Sequence, residues 1–136
     1  MITRAPMPTL SKLSLQRLET CDQRLQDVVK AAIKRIDFTV LCGFRNKQDQ
    51  NDAFERGFSK VKWPNGRHNK QPSQAVDLAP YPIDWRNLDR FKAMMMIVKD
   101  EGAKLNVPLR FGMDFNQNDI IGDDKFIDWP HVEIDE

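Results

Sequence analysis

Four residues of this sequence have side chains and spacings that suit a hydrolytic metal site. The chain of 136 residues has two histidines, His68 and His131, and each has an aspartate close to it. Asp77 follows His68 by nine positions, and Asp128 precedes His131 by three. Two imidazoles and a carboxylate are a common ligand set for a catalytic zinc ion, which keeps a further position for the attacking water.

The spacing alone leaves open whether these residues form a site at all. A histidine in a polar loop is often a surface residue, and each aspartate could instead cap a turn. The local sequence favours a site, because Asp77 lies within the apolar run AVDLA and Asp128 lies between Ile127 and Trp129. A buried carboxylate is costly unless it is paired or bound to a metal, and an apolar setting can raise its pKa into the range of a general base.

Arg45 is a further candidate, because it directly follows a predicted strand in the segment GFRNKQDQ. An arginine at the end of a strand is often the surface partner of an ion pair. In an active site, the same side chain can stabilise a developing oxyanion or hold a carboxylate. The sequence by itself leaves both roles open.

The elements that would carry these residues are predicted from hydrophobic periodicity. Residues 10–35 are predicted as one helix that begins at Ser11 or Ser14, because apolar residues recur at spacings of three and four. Residues 37–43 alternate between apolar and polar side chains and are predicted as a strand. Residues 46–57 are predicted as a short helix that stops at its final glycine.

The second half of the chain continues with strands and one long helix. Residues 74–79 are predicted as a short strand, and Asp84 as the N-cap of a helix over residues 85–105. The segments PLRFGMDF and HVEI are predicted as two further strands. Together, these elements predict an α+β fold with a small, mostly antiparallel sheet packed against helices.

The composition argues against several classes of function. Hydrophobic residues are 40% and charged residues 30% of the chain, which is typical of a globular domain. Because the net charge is +1 and both signs are mixed throughout, the sequence lacks the basic face of a nucleic-acid-binding protein. No segment has the roughly 18 consecutive apolar residues of a membrane-spanning helix, so no membrane insertion is expected. The N-terminus also lacks the apolar core of a secretory signal peptide.

Two other groups that could bind metal are not expected to do so. Cys21 and Cys42 do not form the CxxC pair typical of thiolate zinc sites, and both are expected to be free thiols of a protein made in a reducing compartment. Residues 116–124 are rich in aspartate and asparagine, but their spacing does not match an EF-hand. A solvated loop is expected there.

Four segments, taken in order, resemble the VanY/VanX-like zinc D,D-peptidases. The segments are GFRNKQDQ, RHNKQPSQAVDLAPY, LRFGMDF and DWPHVEI. Within that group the sequence is most similar to the L-alanyl-D-glutamate peptidases of bacteriophage endolysins, and the resemblance runs from about Leu10 to Ile134. It implies the Hedgehog/D-Ala-D-Ala-peptidase-like version of the α+β fold.

The resemblance also implies roles for individual residues. His68, Asp77 and His131 would be the zinc ligands, Asp128 the general base, and Arg45 the residue that polarises the scissile carbonyl. Four residues that match or flank the motifs are candidate substrate-binding residues: Gln50, Trp63, Tyr81 and Trp129.

The sequence departs from the family pattern around the first histidine. Gly66 stands where the family has a serine, so a hydrogen bond from that serine is not expected here. The connection from His68 to Asp77 is two residues longer than the commonest form, and Ser73 or Gln74 replaces a frequent glycine. The extra residues fit a longer loop or hairpin that need not move the ligands, and they leave the shape of the adjacent substrate groove open.

The implied function is that of a zinc-dependent endopeptidase acting on the stem peptides of bacterial peptidoglycan. A D-alanyl-D-alanine carboxypeptidase and a non-catalytic, metal-containing cell-wall-binding module are the alternatives. The chain is expected to be one monomeric peptidase domain over residues 1–136, with a loose arm over residues 1–10 and no separate cell-wall-binding domain. A phage setting implies synthesis in the host cytoplasm without a signal peptide, and release to the wall through a membrane pore.

Overall fold

The computed structural model describes residues 7–121 and 127–136, which contain four α-helices and four strands. The helices are α1 (Lys12–Leu18), α2 (Gln23–Ala32), α3 (Lys47–Glu55) and α4 (Leu88–Lys104). The strands are β1 (Phe38–Cys42), β2 (Ala75–Pro80), β3 (Leu109–Phe111) and β4 (His131–Ile134). Two short 3-10 helices cover Arg67–Asn69 and Gly112–Asp114.

The strands form one antiparallel sheet, which confirms the predicted α+β class. Their order is β1-β2-β4-β3, so β2 is an inner strand and all its residues are buried. In the register of the sheet, Asp77 of β2 lies opposite Cys42 of β1 on one side and His131 of β4 on the other. The sheet thus brings residues that are far apart in the sequence to one point.

The core lies between the sheet and the helices. Helix α2 packs against α4, α4 against β2 and β3, and α1 against β1. Met94 and Met95 are fully buried in this core, whereas Met96 is 47% exposed. A flexible thioether side chain fills irregular gaps between packed elements.

The prediction of one helix over residues 10–35 is wrong, because the chain leaves the helical path between Leu18 and Gln23. Asp22 caps α2 by accepting a hydrogen bond from the backbone N–H of Arg24 at 2.9 Å. The intervening Cys21 forms a parallel bridge with Ser73. Apolar spacing continues across the break, so periodicity alone could not reveal it.

The predicted start of the long helix is also wrong. Helix α4 begins at Leu88, and its N-cap is Asn87, whose Oδ1 accepts from the backbone N–H of Arg90 at 3.3 Å. Asp84 instead accepts from the backbone N–H of Arg86 at 3.0 Å and forms a turn before the helix. Aspartate and asparagine can each cap a helix by accepting a hydrogen bond from a backbone N–H, so both Asp84 and Asn87 were possible N-caps.

The strand predicted over PLRFGMDF is wrong in its second half, because β3 ends at Phe111 and the 3-10 helix Gly112–Asp114 follows. The other predicted elements lie close to their observed bounds. Ser11, not Ser14, caps α1, and the chain after α3 turns at Gly57 with a φ of 79°. The two cysteines are free, as predicted. Part of the predicted loop 116–124 and residues 1–6 of the predicted arm lie outside the described residues. Within residues 7–121 and 127–136, no helix has the length and apolar character needed to cross a membrane.

Candidate metal and catalytic site

The structure brings His68, Asp77 and His131 together at the centre of the sheet. His68 lies in the 3-10 helix Arg67–Asn69, Asp77 in the middle of β2, and His131 at the start of β4. Asp77 Oδ1 is 3.1 Å from His68 Nε2 and 3.3 Å from His131 Nδ1. All three side chains are nearly inaccessible to solvent. One carboxylate oxygen therefore faces an inner nitrogen of each imidazole.

The outer nitrogen of each imidazole is held by an acceptor. His68 Nδ1 donates to the backbone carbonyl of Gly43 at 2.8 Å, and His131 Nε2 donates to Glu133 Oε1 at 2.8 Å. Histidines that ligate metals almost always donate their other N–H to a carbonyl or a carboxylate, which fixes the tautomer and the ring orientation. With one carboxylate and two such imidazoles, the donor set fits zinc.

The electrostatics of the cluster favour a positive charge between these groups. Burial opposes the charged form of His68, but the carboxylate of Asp77 outweighs burial and raises the His68 pKa to about 10. Burial likewise opposes ionisation of Asp77, whereas His68 and His131 hold its pKa well below the usual range. Asp77 is therefore an anion that two imidazoles stabilise, which explains how it tolerates an inner strand.

Glu133 and Cys42 are two members of the cluster that the sequence interpretation missed. Glu133 lies two residues after His131 on a strand, where alternate side chains share a face, so the HVEI pattern could have identified it. Cys42 follows an irregularity in the pairing of β1 with β2. Its sulfur and the donor atoms of His68 and Asp77 all lie within 4.8 Å of one another.

Asp128 lies beside the histidine cluster, with its Oδ2 3.9 Å from His131 Nδ1. Donor atoms of Asp77, Asp128 and His131 also lie within 4.8 Å of one another. Burial and the negative charge of Asp77 raise the pKa of Asp128 to about 6, although His131, His68 and Arg45 act in the opposite direction. This value is close to neutral pH, as a general base requires.

A close backbone approach holds Asp128 in this position. Its N–H donates to the carbonyl of Gly112 at 2.9 Å, and its own carbonyl accepts from the N–H of His131 at 3.1 Å. A Cβ atom on residue 112 would overlap the carbonyl oxygen of Asp128. Gly112 therefore allows the segment before β4 to approach the 3-10 helix that follows β3.

Arg45 extends from the end of β1 to the same cluster. Its Nη2 is 3.4 Å from Asp77 Oδ2, and its Nη1 donates to Gln50 Oε1 at 3.2 Å. The backbone N–H of Arg45 donates to the carbonyl of His68 at 2.8 Å. The guanidinium is thus fixed next to the carboxylate that both histidines share.

Gln50 is a buried support for Arg45, with only 1% of its surface exposed. Its Nε2 donates to Ser59 Oγ at 2.9 Å and to the carbonyl of Val61 at 2.8 Å. Its Oε1 accepts from Arg45 and from Asn69 Nδ2. Since protein partners occupy both ends of the amide, its contacts indicate a positioning role more than direct substrate binding.

The glycine that replaces the family's serine lies against this network. The backbone N–H of Gly66 donates to Asn69 Oδ1 at 2.8 Å. A Cβ atom at residue 66 would lie 2.8 Å from that same oxygen and 3.1 Å from Gln50 Oε1, so a side chain would push the two amides apart. Asn69, which the sequence interpretation did not select, occupies the space that a side chain at residue 66 would need.

The longer connection between His68 and Asp77 is tied to the loop between α1 and α2. The N–H of Ser73 donates to the carbonyl of Thr20, and the carbonyl of Ser73 accepts from the N–H of Asp22. The hydroxyl of Ser73 is buried and donates to the carbonyl of Ala75 at 2.7 Å. These bonds anchor the connection just before β2, so Asp77 keeps its place in the sheet.

Two cavities meet at Asp128, and both also have Arg45 and Phe58 in their walls. The first, here called the basic cavity, has a volume of about 330 Å³ and includes Arg67 and Arg110. The second, here called the apolar cavity, has a volume of about 540 Å³. Its characteristic lining residues are Trp85, Leu88, Phe91, Ile127 and Trp129.

The remaining candidate substrate-binding residues lie in different places. Trp129 lines the apolar cavity. Trp63 packs edge-to-face on Phe44, with ring centroids 6.2 Å apart, and Tyr81 is 59% exposed beyond the end of β2. Neither Trp63 nor Tyr81 is among the described residues that line the two cavities.

Comparisons with known proteins identify one family from the sequence and the same fold from a solved structure. The model of the phage L-alanyl-D-glutamate peptidase family matches residues 7–134. The L-alanyl-D-glutamate peptidase of Escherichia phage T5 is 31% identical over 131 residues, which cover 90% of this chain and 95% of the phage protein. The crystal structure of the Serratia marcescens L-Ala D-Glu endopeptidase ChiX has the same fold, with a TM-score of 0.73 and 19% identity over 93% of this chain and 90% of ChiX.

Proposed function

The chain belongs to the phage L-alanyl-D-glutamate peptidase family, and on this premise we propose that it is a zinc-dependent endopeptidase of bacterial peptidoglycan. The bond cleaved would be the one between L-alanine and D-glutamate in the stem peptide. The arrangement of the two imidazoles is the observation that supports the proposed dependence on zinc. Their inner nitrogens meet one oxygen of Asp77, and their outer nitrogens are held by a carbonyl and a carboxylate.

His68, Asp77 and His131 are the residues that would hold the zinc ion. When bound, zinc would supply a Lewis acid that polarises a carbonyl and lowers the pKa of water. Glu133 would keep the His131 imidazole in the tautomer whose Nδ1 is a ligand. Gly43 would do the same for His68 through its backbone carbonyl.

Asp128 would act as the general base and then as the general acid. Its carboxylate would accept a proton from the attacking water and return it to the leaving amine. The raised pKa of about 6 suits both steps, because the group can be ionised before attack and can still hold a proton afterwards. Asp128 lines both cavities, which supports a role at the point where a peptide would pass from one to the other.

Arg45 would stabilise negative charge on the carbonyl oxygen of the scissile bond. The guanidinium is fixed by Gln50 and Asp77, so it needs no reorganisation as charge develops. Because it lines both cavities, it can donate to a peptide carbonyl that spans them.

A D-alanyl-D-alanine carboxypeptidase remains the second candidate, because the basic cavity could hold a C-terminal carboxylate. The presence of two cavities that share Asp128 favours the endopeptidase, whose substrate continues in both directions. In either case the substrate would be the peptidoglycan outside the host membrane. We propose action as a monomer after release from the cytoplasm.

Digestion of purified peptidoglycan, with mass analysis of the fragments, tests the proposal. New termini at L-alanine and D-glutamate are expected, and a chelator should abolish them until zinc is restored. Loss of terminal D-alanine alone would favour the carboxypeptidase. A purified protein that contains no zinc and releases no fragment would contradict the proposal and favour a wall-binding module.

A further inference from the structure

The chemistry of the proposed substrate leaves a carboxylate close to the scissile bond. A glutamyl residue has two carboxyl groups, and only one of them can join the next residue of a peptide. The other is a free anion unless it is amidated. Because the glutamyl nitrogen belongs to the scissile bond, this carboxylate must lie within a few bonds of the site of attack. An enzyme of this specificity therefore benefits from a cation on the leaving-group side.

Cationic side chains outnumber carboxylates in the lining of the basic cavity, which includes Asp128. Four cationic side chains and two carboxylates are among its described lining residues. Arg67 and Arg110 are two of these cations, and both lie near Glu133. Since Glu133 accepts from His131, each arginine is separated from a proposed metal ligand by only one carboxylate.

Arg110 is anchored at one end and loosely paired at the other. Its Nε donates to the backbone carbonyl of Phe115 at 2.8 Å, and its guanidinium lies over the Phe115 ring, 5.2 Å from the centroid. Its Nη1 is 3.9 Å from Glu133 Oε2, which is beyond hydrogen-bond distance. The side chain is 39% exposed. A guanidinium held in this way keeps its terminal nitrogens oriented for a second carboxylate.

Arg67 lies on the same cavity but is engaged by the protein. Its Nη1 donates to Gln74 Oε1 at 2.9 Å and its Nη2 to the carbonyl of Glu136 at 3.1 Å, while its Nε lies 3.4 Å from Glu133 Oε2. These contacts use every nitrogen of the guanidinium. Arg67 therefore serves as a structural partner of Glu133, and it provides a matched comparison for Arg110.

We propose that Arg110 is a specificity-determining residue that binds the free carboxylate of the substrate's glutamyl residue, on the leaving-group side of the scissile bond. The inference rests on the proposed function and adds to it the direction of the peptide. The glutamyl side occupies the basic cavity, and the alanyl side lies towards the apolar cavity. A guanidinium and a carboxylate can form two parallel charge-assisted hydrogen bonds, which an amide cannot reproduce.

Two stem peptides that differ only at this carboxylate test the inference. One carries the free glutamyl carboxylate, and the other carries the corresponding amide. For the unaltered enzyme, kcat/KM should be on the order of 10- to 100-fold higher for the carboxylate peptide, since hydrogen bonds between charged groups have this strength. Arg110→Gln should lower kcat/KM for the carboxylate peptide to the level of the amide peptide and should leave the amide peptide within about threefold.

Three control variants separate binding of the carboxylate from a structural effect. Arg110→Lys keeps the charge without the fork and should retain part of the preference. Arg67→Gln should affect both peptides by the same factor. Arg35→Gln removes an exposed cation that pairs with Asp100 and does not line either cavity, and it should change neither rate. Equal rates for the two peptides with the unaltered enzyme, or an equal loss for both with Arg110→Gln, would overturn the inference.

A binding measurement keeps this test separate from the test of the proposed function. Asp128→Asn is expected to hold the peptides without cleaving them, and calorimetric titration should show tighter binding of the carboxylate peptide. Adding Arg110→Gln should abolish that difference. Binding with this preference but cleavage at another bond would refute the proposed function and leave Arg110 as a carboxylate-binding residue. Binding of both peptides with equal affinity would refute the role of Arg110.

Discussion

The two cavities that meet at Asp128 are built in different ways. Hydrogen bonds between side chains and backbone form the walls of the basic cavity, where Gln50 and Arg110 each have fixed partners. Packed apolar side chains form the walls of the apolar cavity, and Trp85 stacks there on Phe91 with ring centroids 5.3 Å apart. Trp85 is nevertheless 56% exposed and Phe58 69% exposed, so this wall is open to solvent.

This difference indicates how the site can distinguish the two ends of a peptide. Directional, charged donors discriminate strongly between a group that matches them and one that does not, whereas an apolar surface discriminates weakly. The basic cavity is therefore suited to recognise chemical identity, and the apolar cavity to accept a less specified group. Asp128 lines both cavities, so the proposed chemistry would take place where the lining changes from charged to apolar side chains.

The largest effect is expected for Asp128→Asn, because this residue is common to both cavities. Loss of a general base should reduce kcat by on the order of 10²- to 10⁴-fold. Zinc content, measured by mass spectrometry of the metal, should be unchanged. Asp84→Asn, in the turn before α4, is the matched control and should retain full activity. Activity of Asp128→Asn within tenfold of the unaltered enzyme would exclude Asp128 as the base.

Glu133→Ala should have the next largest effect, a loss of metal affinity. Of the two cavities, Glu133 lines the basic one. The variant removes the acceptor for His131 Nε2, and loss of such a partner typically weakens metal affinity by about 10- to 100-fold. Competition with a chelator of known affinity measures this change. Glu19→Ala, at the exposed end of α1, is the control. Unchanged zinc affinity would show that the contact with His131 does not tune the site.

Gln50→Ala should weaken both stability and Arg45 placement. Removing a buried amide with partners at both ends should lower the free energy of unfolding by about 1–3 kcal/mol. Denaturant unfolding measures it, with Gln48→Ala as the control on the exposed face of α3. Since Arg45 would lose its positioning partner, kcat should fall more than KM changes. A stability loss with unaltered kcat would limit Gln50 to folding.

Trp85→Ala should have the smallest effect, and it should not depend on substrate charge. An exposed indole contributes partial apolar contact, so KM should rise by less than about tenfold for both the carboxylate and the amide peptide. Steady-state kinetics on the two peptides measures this rise. A larger effect on the carboxylate peptide than on the amide peptide would show that the apolar cavity also recognises the carboxylate, and would contradict the assignment of different roles to the two cavities.

Much of the fold could be predicted because periodicity and burial determine it. The alternation in residues 37–43 and the apolar stripe of the long helix correspond to β1 and α4. The break between Leu18 and Gln23 could not be predicted, because the bridge that Cys21 forms there is to Ser73, which is distant in sequence. Two residues that can each cap a helix, Asp84 and Asn87, likewise made the start of α4 ambiguous.

The residues of the site also separate into those that could be selected from the sequence and those that could not. The residues with scarce chemistry, His68, Asp77 and His131, could be selected because a histidine pair and an aspartate in an apolar strand are unusual in any sequence. Their supporting residues could not be selected, because asparagine, glutamine and glutamate are common and acquire a role only through tertiary contacts. Asn69 and Glu133 are examples, and both depend on the register and loop path of the folded chain.

The register of β2 has a consequence for how correctly folded molecules can be recognised. Asp77 meets its partners only when β1, β2 and β4 pair as observed, since a slip of one residue turns every side chain to the opposite face. A mispaired chain would present no donor set for zinc. With zinc bound as proposed, only chains with the observed strand pairing would retain the metal. The molar ratio of zinc to protein in a preparation would then report the fraction of natively folded molecules.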